Sequence, residues 1–140
     1  MRKIVLDTDF LSLACEKVSV EEGEEIAQEL LDSIPDYAAG IAANQIGIQK
    51  RVCVIAVNET IILINPVVTR SEGEISYMEG CLSYPQKYIR TKRFASITVE
   101  ADNHDAPLHF SIKNTLECVC VQHEIDHLNG ITMFQREYKK

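Results

Sequence analysis

The pattern of apolar and polar positions predicts a short strand and then a helix in the first quarter of the chain. Residues 2–6 are mostly apolar and predict the strand. Ser19 begins a Ser-x-x-Glu sequence that is typical of a helix N-terminus. Apolar residues then recur at helical spacing over residues 26–34, and Pro35 ends the run.

Four further apolar runs predict two pairs of strands. Residues 51–57 and 61–65 are rich in β-branched side chains and are separated by a short polar turn, which is typical of a hairpin. Residues 94–101 and 107–112 alternate between apolar and polar positions on either side of a turn rich in aspartate. The positions expected on the inner faces of this second pair are Ile97, Val99, Leu108, Phe110 and Ile112.

A second helix is predicted from the Asn114 cap to Asn129 and Gly130, where glycine suits a left-handed cap. One of its stripes is formed by Leu116, Val119, Cys120, His123 and His127, and another by Cys118, Val121, Ile125 and Leu128. A helix that is apolar on most sides is usually buried. We therefore expect an α+β fold in which antiparallel strands wrap around this central helix, in one domain over residues 1–140.

Composition narrows the classes of protein that this chain can represent. The chain has 140 residues, of which 46% are hydrophobic and 25% are charged, as in an ordinary globular domain. A net charge of −7 does not favour binding to nucleic acid or to an anionic membrane. The longest apolar run, 52–57, is too short to span a bilayer, and the N-terminus has no signal-peptide core. Five cysteines at irregular spacing indicate a reducing compartment, so we expect the cytosol.

The predicted second helix carries the sequence His123-Glu124-Ile125-Asp126-His127. Two histidines at positions i and i+4 lie on one helical face, about 6 Å apart, close enough to hold one metal ion. Glu124 projects beside the pair, where it reaches a water on the metal without being a ligand. The same pattern also arises by chance. Two buried histidines without a ligand would, however, be costly to desolvate, so a metal site is predicted.

The third metal ligand is expected upstream of this helix. Zincin proteases take it from a later segment, but the residues after His127 offer only Glu137 and the C-terminus. Cys81, next to Gly80 in a loop-like stretch, is the best candidate. The ordinary role of a free cysteine is that of a buried structural thiol, which we expect for Cys15, Cys53, Cys118 and Cys120.

A third segment, residues 40–47, combines small residues and glycine with one amide side chain. Small residues let a backbone or a substrate approach closely. Gln45 could donate a hydrogen bond to a developing oxyanion. In isolation the segment reads as an ordinary connection between a helix and a strand.

Together, three sequences in this order resemble the signature motifs of peptide deformylases: Gly-Ile-Ala-Ala-Asn-Gln at 40–45, Glu-Gly-Cys-Leu-Ser at 79–83 and Gln-His-Glu-Ile-Asp-His at 122–127. The resemblance runs from about residue 20 to residue 134. It implies an enzyme that removes the formyl group from the N-terminal methionine of nascent proteins. In this family a metal-activated water attacks the formyl carbon.

The resemblance also implies a role for each motif residue. Cys81, His123 and His127 would bind one divalent ion, which is Fe(II) in the cell, with zinc, nickel or cobalt able to replace it. Glu124 would act as general base and then as general acid. Gln45 and the backbone N–H of Leu82 would stabilise the oxyanion.

Further residues are expected to contact the substrate or to support the site. Leu116, Val119 and Cys120 lie on the ligand face of the helix, before His123, and should line a slot for the methionine side chain. The resemblance adds other substrate-binding positions, which are Ala39, Gly40, Ile41, Tyr77, Glu79 and Gly80. It also predicts that Arg93 pairs with Glu79 in a bidentate manner and holds the ligand loop.

The expected partners are N-formyl-methionyl peptides and nascent chains, with a transient ribosome contact, no membrane and no direct nucleic-acid specificity. We expect a monomer in the bacterial cytoplasm, encoded by a bacterium or by a phage. Ala38 stands where the family pattern has its first glycine, and the chain is expected to be a short form without a C-terminal helix.

Three other functions remain as alternatives to a deformylase. They are an amidase or peptidase of other specificity, a catalytically silent binding module, and a cysteine hydrolase with Cys81 as nucleophile.

Overall fold

The structure is a computed structural model that describes residues 2–139. Met1 and Lys140, the end residues of the expected domain, lie outside the described residues. The helices are α1 (Thr8–Leu11), α2 (Val20–Ser33) and α3 (Thr115–Leu128). The strands are β1 (Gly40–Ala42), β2 (Val52–Ala56), β3 (Thr60–Ile64), β4 (Val67–Glu72), β5 (Ile75–Cys81), β6 (Tyr84–Arg93), β7 (Ser96–Glu100) and β8 (Leu108–Ser111). Short 3₁₀ turns cover Ala43–Ile46, Ile112–Asn114 and Met133–Arg136.

The strands form three antiparallel groups around α3. One sheet has the order β1-β2-β3, a second has the order β4-β7-β8, and β5 pairs with β6 as a separate hairpin. Helix α3 contacts β1, β2 and β8. The α+β architecture with antiparallel strands around a central helix is therefore as the sequence predicts.

Strand β2 lies between two helices, and this explains why its sequence is apolar throughout. Cys53 and Ile55 join the core that includes the inner face of α3, whereas Val52 and Val54 join the core under α2. Successive side chains of a strand point to opposite faces, so a strand that is buried on both faces needs apolar residues at every position. The second apolar stripe of α3, formed by Cys118, Val121, Ile125 and Leu128, lies in the first of these cores.

Both long helices begin at the predicted caps. The Ser19 hydroxyl accepts a hydrogen bond from the Glu22 N–H at 3.1 Å, and the Asn114 side chain accepts one from the Glu117 N–H at 3.2 Å. Gly130, beyond the end of α3, has φ +76°, the left-handed conformation expected there. Within residues 2–139 no helix is both long enough and apolar enough to cross a membrane.

The structure corrects several of the predicted elements. Residues 2–6 are not a strand, although the Val5 N–H donates to the Gln45 carbonyl at 2.7 Å. The side chain of Ile112 is 57% exposed, because this residue starts a 3₁₀ turn and no longer alternates with Phe110. The stretch around Cys81 is the end of strand β5 rather than a loop, and the helix-to-strand connection at 40–47 contains strand β1.

Candidate metal centre

Three side chains with metal-binding atoms converge between the β5–β6 hairpin and α3. Cys81 ends β5, and His123 and His127 lie one turn apart on α3. Their ligand atoms all lie within 4.8 Å of one another, and the Cys81 Sγ is 3.3 Å from the His127 Nε2. Ligand sulfur and nitrogen atoms around one tetrahedral zinc ion lie about 3.6 Å apart, so this donor set fits a single ion.

An irregularity in the β5–β6 pairing positions Cys81. Gly80 pairs with Tyr88, but Cys81 pairs with Tyr84, so the register shifts between the two residues. A bulge of this kind bends a strand and redirects a side chain. A Cβ atom on Gly80 would lie 2.9 Å from the exposed Tyr88 ring, so the absence of a side chain at residue 80 lets this ring pack against the backbone.

Glu79 orients one of the two histidines, His123, through its ring nitrogen Nδ1. Its Oε1 lies 2.7 Å from the His123 Nδ1, and it receives two hydrogen bonds from Arg93, from Nε at 2.6 Å and from Nη2 at 2.8 Å. The Thr91 hydroxyl donates to the same carboxylate. A donor bond from the His123 Nδ1–H fixes the tautomer, so that its Nε2 is free to bind an ion.

Ionisation of these buried groups follows from their contacts. Burial raises the pKa of Glu79, but hydrogen bonds from Arg93 and His123 outweigh it and lower that pKa to about 2. Burial lowers the pKa of His127 well below its usual range, which leaves a neutral imidazole. Burial also lowers the pKa of His123, but interactions with Cys81 and Glu79 raise it overall. A proton held there must leave when an ion binds.

Glu124 is a buried carboxyl group that follows His123 on α3. Its Oε1 has no hydrogen-bond partner among residues 2–139, and neither has the His127 Nδ1. Burial is the largest cause of the raised pKa of Glu124, which is about 7. The charges of His123 and Arg93 lower this pKa, and the charge of Glu79 raises it. A carboxyl group with a pKa near the working pH is suited to accept and return a proton.

The side-chain amide nitrogen of Gln45 points toward Cys81. Its Oε1 accepts the Ala42 N–H at 2.9 Å, which turns its Nε2 toward the Cys81 Sγ at 3.6 Å and the Ser83 Oγ at 3.2 Å. Gln45 is almost completely buried, so this orientation is held by packing as well. Leu82 lies in the turn directly after Cys81 and leads into β6.

The five cysteines are free thiols, and Cys81 differs from the other four. It is half-buried, whereas the others are buried. Burial raises the pKa of Cys15 to about 11 and raises that of Cys118, and the increase is larger still for Cys53 and Cys120. A buried thiol with a raised pKa is inert, which leaves Cys81 as the thiol suited to metal binding.

A cleft of about 420 Å³ opens beside Cys81. Its walls come from the segment before β1 and the start of that strand, and from the end of β5, the turn after it and the first half of β6. The lining residues are Tyr37, Ala38, Ala39, Gly40, Gly80, Cys81, Leu82, Tyr84, Pro85, Gln86, Lys87 and Tyr88. Ala38, which replaces the family glycine, lies in this wall. The non-glycine residues of positive φ within residues 2–139 are Asn65 and Gln86, so alanine at position 38 is free of backbone strain.

The cleft includes only some of the residues that the sequence proposes for substrate binding. Ala39, Gly40 and Gly80 line it, while Ile41 is buried in the core under α2 and Tyr77 is half-buried on β5. On α3, Cys120 and Val119 are buried and Leu116 is 44% exposed. None of these three is among the lining residues of the cleft, and the slot assigned to them stays a prediction.

Sequence reasoning misses several polar residues that hold the site: Asn44, Ser83, Thr91, Asp126 and Arg136. The Asn44 Nδ2 donates to the His127 carbonyl at 2.8 Å, and Asp126 accepts from Arg93 and from Arg136. Asp126 had a usable signal, because an acidic residue between two histidines on a buried helix needs a partner. Asn44, Ser83 and Thr91 come from segments that are distant along the chain. Arg136 follows Asp126 by ten residues, but no spacing in the sequence connects it to the site.

Comparison with known proteins places the chain in a family. The family model described as polypeptide deformylase matches residues 1–140. A peptide deformylase of Aquifex aeolicus is 33% identical and aligns over 95% of this chain and 85% of its own length. One of Heliobacterium modesticaldum is 44% identical over 76% of this chain and 75% of its own.

Solved structures agree with the sequence relatives. The crystal structure of peptide deformylase from Thermotoga maritima has a TM-score of 0.90, covers 99% of both chains and is 26% identical. A deformylase from Synechococcus elongatus in complex with actinonin has a TM-score of 0.87 and 28% identity, over 100% of this chain and 80% of its own. The chain therefore belongs to the peptide deformylase family and is a hydrolase that acts on formylated peptides.

Proposed function

We propose that this chain removes the formyl group from the N-terminal formyl-methionine of nascent polypeptides, with one divalent ion held by Cys81, His123 and His127. The observation that carries the proposal is the convergence of three ligand atoms within 4.8 Å at the end of a buried helix. Glu124, the next residue after His123, is buried there with an unpartnered carboxylate oxygen. Ligands and base therefore come from one helix and one strand end.

The donor set also fits the ions that the resemblance implies. Three protein ligands leave a fourth position for a reactant, which distinguishes catalytic from structural sites. When held by Cys81, His123 and His127, a divalent ion would polarise the formyl oxygen and lower the pKa of water. Thiolate and imidazole ligands suit iron, zinc, nickel and cobalt. We take Fe(II) as the ion in the cell, with the other three as substitutes in purified protein.

In this proposal Glu124 moves the proton. The unpartnered Oε1 takes a proton from the attacking water as oxygen adds to the formyl carbon. The carboxyl group then gives this proton to the amine nitrogen as the C–N bond breaks. The products are a peptide with a free N-terminal amine and formic acid, which loses its proton to solvent and becomes formate. Burial raises the pKa of this carboxyl group in the ion-free protein, which makes it a stronger base than an exposed glutamate.

Two N–H donors would stabilise the negative charge that develops on the formyl oxygen. The Gln45 Nε2 already points toward Cys81, and its amide is held by the Ala42 N–H. The backbone N–H of Leu82 lies in the turn directly after the ligand. Donors placed in advance at an oxyanion contribute about 3 kcal/mol each to the transition state.

The cellular setting is part of the same proposal. Relatives of the chain are bacterial deformylases, and a formylated N-terminus is made in the bacterial cytoplasm during translation, so we propose that the enzyme acts there. Its substrate is a chain still under synthesis, which implies a transient contact with the ribosome. We propose that it works as a monomer, because Cys81, His123, His127 and Glu124 all belong to one chain.

Anaerobic purification followed by metal analysis and a peptide assay tests this function. We expect about one divalent ion per chain and the release of formate from a formyl-Met peptide. The matched acetyl-Met peptide controls for general amidase activity and should turn over much more slowly. Activity that survives a chelator, or equal turnover of the two peptides, would contradict the proposal.

A further inference from the structure

A continuous series of charged and polar contacts leads from the surface to the metal centre. It begins at Arg136, in the 3₁₀ turn after α3, and passes through Asp126, Arg93 and Glu79 to His123. Arg136 donates hydrogen bonds to both carboxylate oxygens of Asp126, from Nε to Oδ2 at 3.0 Å and from Nη2 to Oδ1 at 3.0 Å. The Arg93 Nη1 lies 2.6 Å from the same Oδ2. Bidentate contacts fix orientation as well as distance.

Arg136 completes the charge balance of this series. Glu79 and Asp126 are two carboxylates, and Arg93 between them supplies only one positive charge. The side chains of Arg93 and Glu79 are 3% exposed and that of Asp126 is 11% exposed, so water screens them poorly. Arg136 supplies the second positive charge. Without it, a buried carboxylate would lack compensation, which is costly in a protein interior.

The position of Arg93 depends on this balance. Arg93 is shared between Asp126 and Glu79, and an uncompensated Asp126 would attract it more strongly. The Glu79 Oε1 contacts both the Arg93 Nη2 and the His123 Nδ1. A shift of Arg93 toward Asp126 would therefore loosen the carboxylate that orients His123.

The surrounding segment holds Arg136 in place before any ion binds. The Tyr138 N–H donates to the Arg90 carbonyl at 2.8 Å, and Glu137 forms a bridge with Thr91 on β6. The Phe134 ring meets the Tyr84 ring edge-to-face, with centroids 4.7 Å apart. Contacts on both sides of Arg136 reduce the entropy that an exposed arginine loses on pairing, which is the usual weakness of a surface ion pair.

We propose that Arg136 is a positioning residue for the metal centre, acting on His123 through Asp126, Arg93 and Glu79. The inference rests on the proposed function, because it assumes that His123 binds the ion. The segment after α3 would then contribute to metal binding, although it lies outside the three sequence motifs.

The test compares Zn²⁺ affinity in Arg136→Gln, Arg136→Lys and the parent chain, by competition with a chromophoric chelator. Direct partners of a ligand typically contribute 10–100-fold in affinity; for this more remote residue we expect Arg136→Gln to weaken binding by about 3–10-fold. Arg136→Lys keeps the charge but loses the bidentate geometry, so it should restore part of the loss. Arg70→Gln is the matched control, since it removes an exposed arginine from its pair with Glu72, and should bind Zn²⁺ like the parent.

Two further readouts separate positioning from stability. Thermal unfolding of the metal-free proteins reports on any purely structural role, and the absorption spectrum of the Co²⁺ form reports on ligand geometry. A lower melting temperature with unchanged Zn²⁺ affinity and an unchanged Co²⁺ spectrum would overturn the inference. Zn²⁺ affinity of Arg136→Gln equal to that of Arg70→Gln would overturn it too, while the proposed function would stand. If the parent chain binds no metal, the proposed function itself fails, and the inference fails with it.

Discussion

Glu124 illustrates how a single residue can depend on a close backbone approach. A Cβ atom on Gly40 would lie 3.0 Å from the Glu124 Oε2, 2.7 Å from the Cys120 Sγ and 2.9 Å from the Val54 carbonyl oxygen. Strand β1 can therefore pass directly against the carboxylate only because residue 40 has no side chain. This contact excludes water from one side of Glu124 and contributes to the burial that raises its pKa.

Replacement of Glu124 by glutamine should separate catalysis from binding. The amide has nearly the same shape as the carboxyl group but cannot accept a proton from water. We expect the metal content to stay near that of the parent and kcat to fall by roughly 10²–10⁴-fold. Formate release and metal analysis on the same sample measure both quantities.

Glu117→Gln provides the control for this substitution. It makes the same chemical change on the same helix, two turns earlier and away from the ligands. It should leave formate release unchanged. Near-normal turnover in Glu124→Gln would remove Glu124 from the mechanism, and loss of the ion would make it a structural residue.

At the scale of elements, the β5–β6 hairpin and α3 supply most of the side chains that surround the candidate metal site. Cys81 and Glu79 lie on β5, and Thr91 and Arg93 lie on β6. Three of these four side chains are buried polar groups that satisfy one another. The hairpin therefore contacts α3 through buried polar groups at this point, through Arg93 to Asp126 and through Glu79 to His123.

Loss of Arg93 should damage both stability and metal binding. Arg93→Ala leaves Glu79 and Asp126 without their shared cation, and an unpaired buried charge costs about 3–5 kcal/mol. His123 also loses the support of its carboxylate, so Zn²⁺ affinity should fall by roughly 10–100-fold. Urea unfolding and chelator competition measure these two effects.

The neighbouring Lys92→Ala is the matched control, because Lys92 forms an exposed ion pair with Glu74. Exposed pairs contribute at most about 1 kcal/mol, so this variant should resemble the parent in both assays. If Arg93→Ala behaved like Lys92→Ala, the bidentate pair with Glu79 would be incidental to the site.

The same hairpin explains what the sequence could not predict. Helix α3 was predictable because its caps and apolar stripes are local patterns, and its two histidines are one turn apart. Strands β5 and β6 have polar residues on their buried face, including Glu79, Thr91 and Arg93, so they lack the apolar alternation that identifies a strand. Resemblance indicated the roles of Cys81 and Arg93, whereas local patterning gave no strand there.

Helix α3 is also where the predicted methionine slot can be tested. Val119 lies one turn before His123, is 3% exposed, and is predicted to line the slot. We expect Val119→Phe to lower kcat/KM for a formyl-Met peptide more than for a formyl-Ala peptide. The parent should prefer formyl-Met by roughly 10-fold or more. Equal losses for the two peptides would place the slot elsewhere, with the cleft beside Cys81 as the next region to probe.

On the scale of the whole molecule, the metal centre is the point where separate parts of the chain meet. Gln45 lies in the 3₁₀ turn between β1 and β2 of the first sheet, Cys81 ends a strand of the separate hairpin, and the histidines lie on α3. The contacts that join Gln45, Cys81 and His127 are polar. An ion bound at this junction would therefore join the hairpin to the helix.

Removal of the ion should consequently lower the stability of the whole fold. An ion that binds only the native state stabilises it by about 2.7 kcal/mol at 100 times its Kd. For a chain of this size that corresponds to a rise in melting temperature of roughly 8 °C. We expect thermal unfolding of chelator-treated protein to show this rise when Zn²⁺ is added. Cys81→Ser, which weakens one ligand with little change in volume, should show a much smaller rise. An equal rise in Cys81→Ser would mean that zinc binds somewhere else, and no rise in the parent would mean that the ion does not link hairpin and helix.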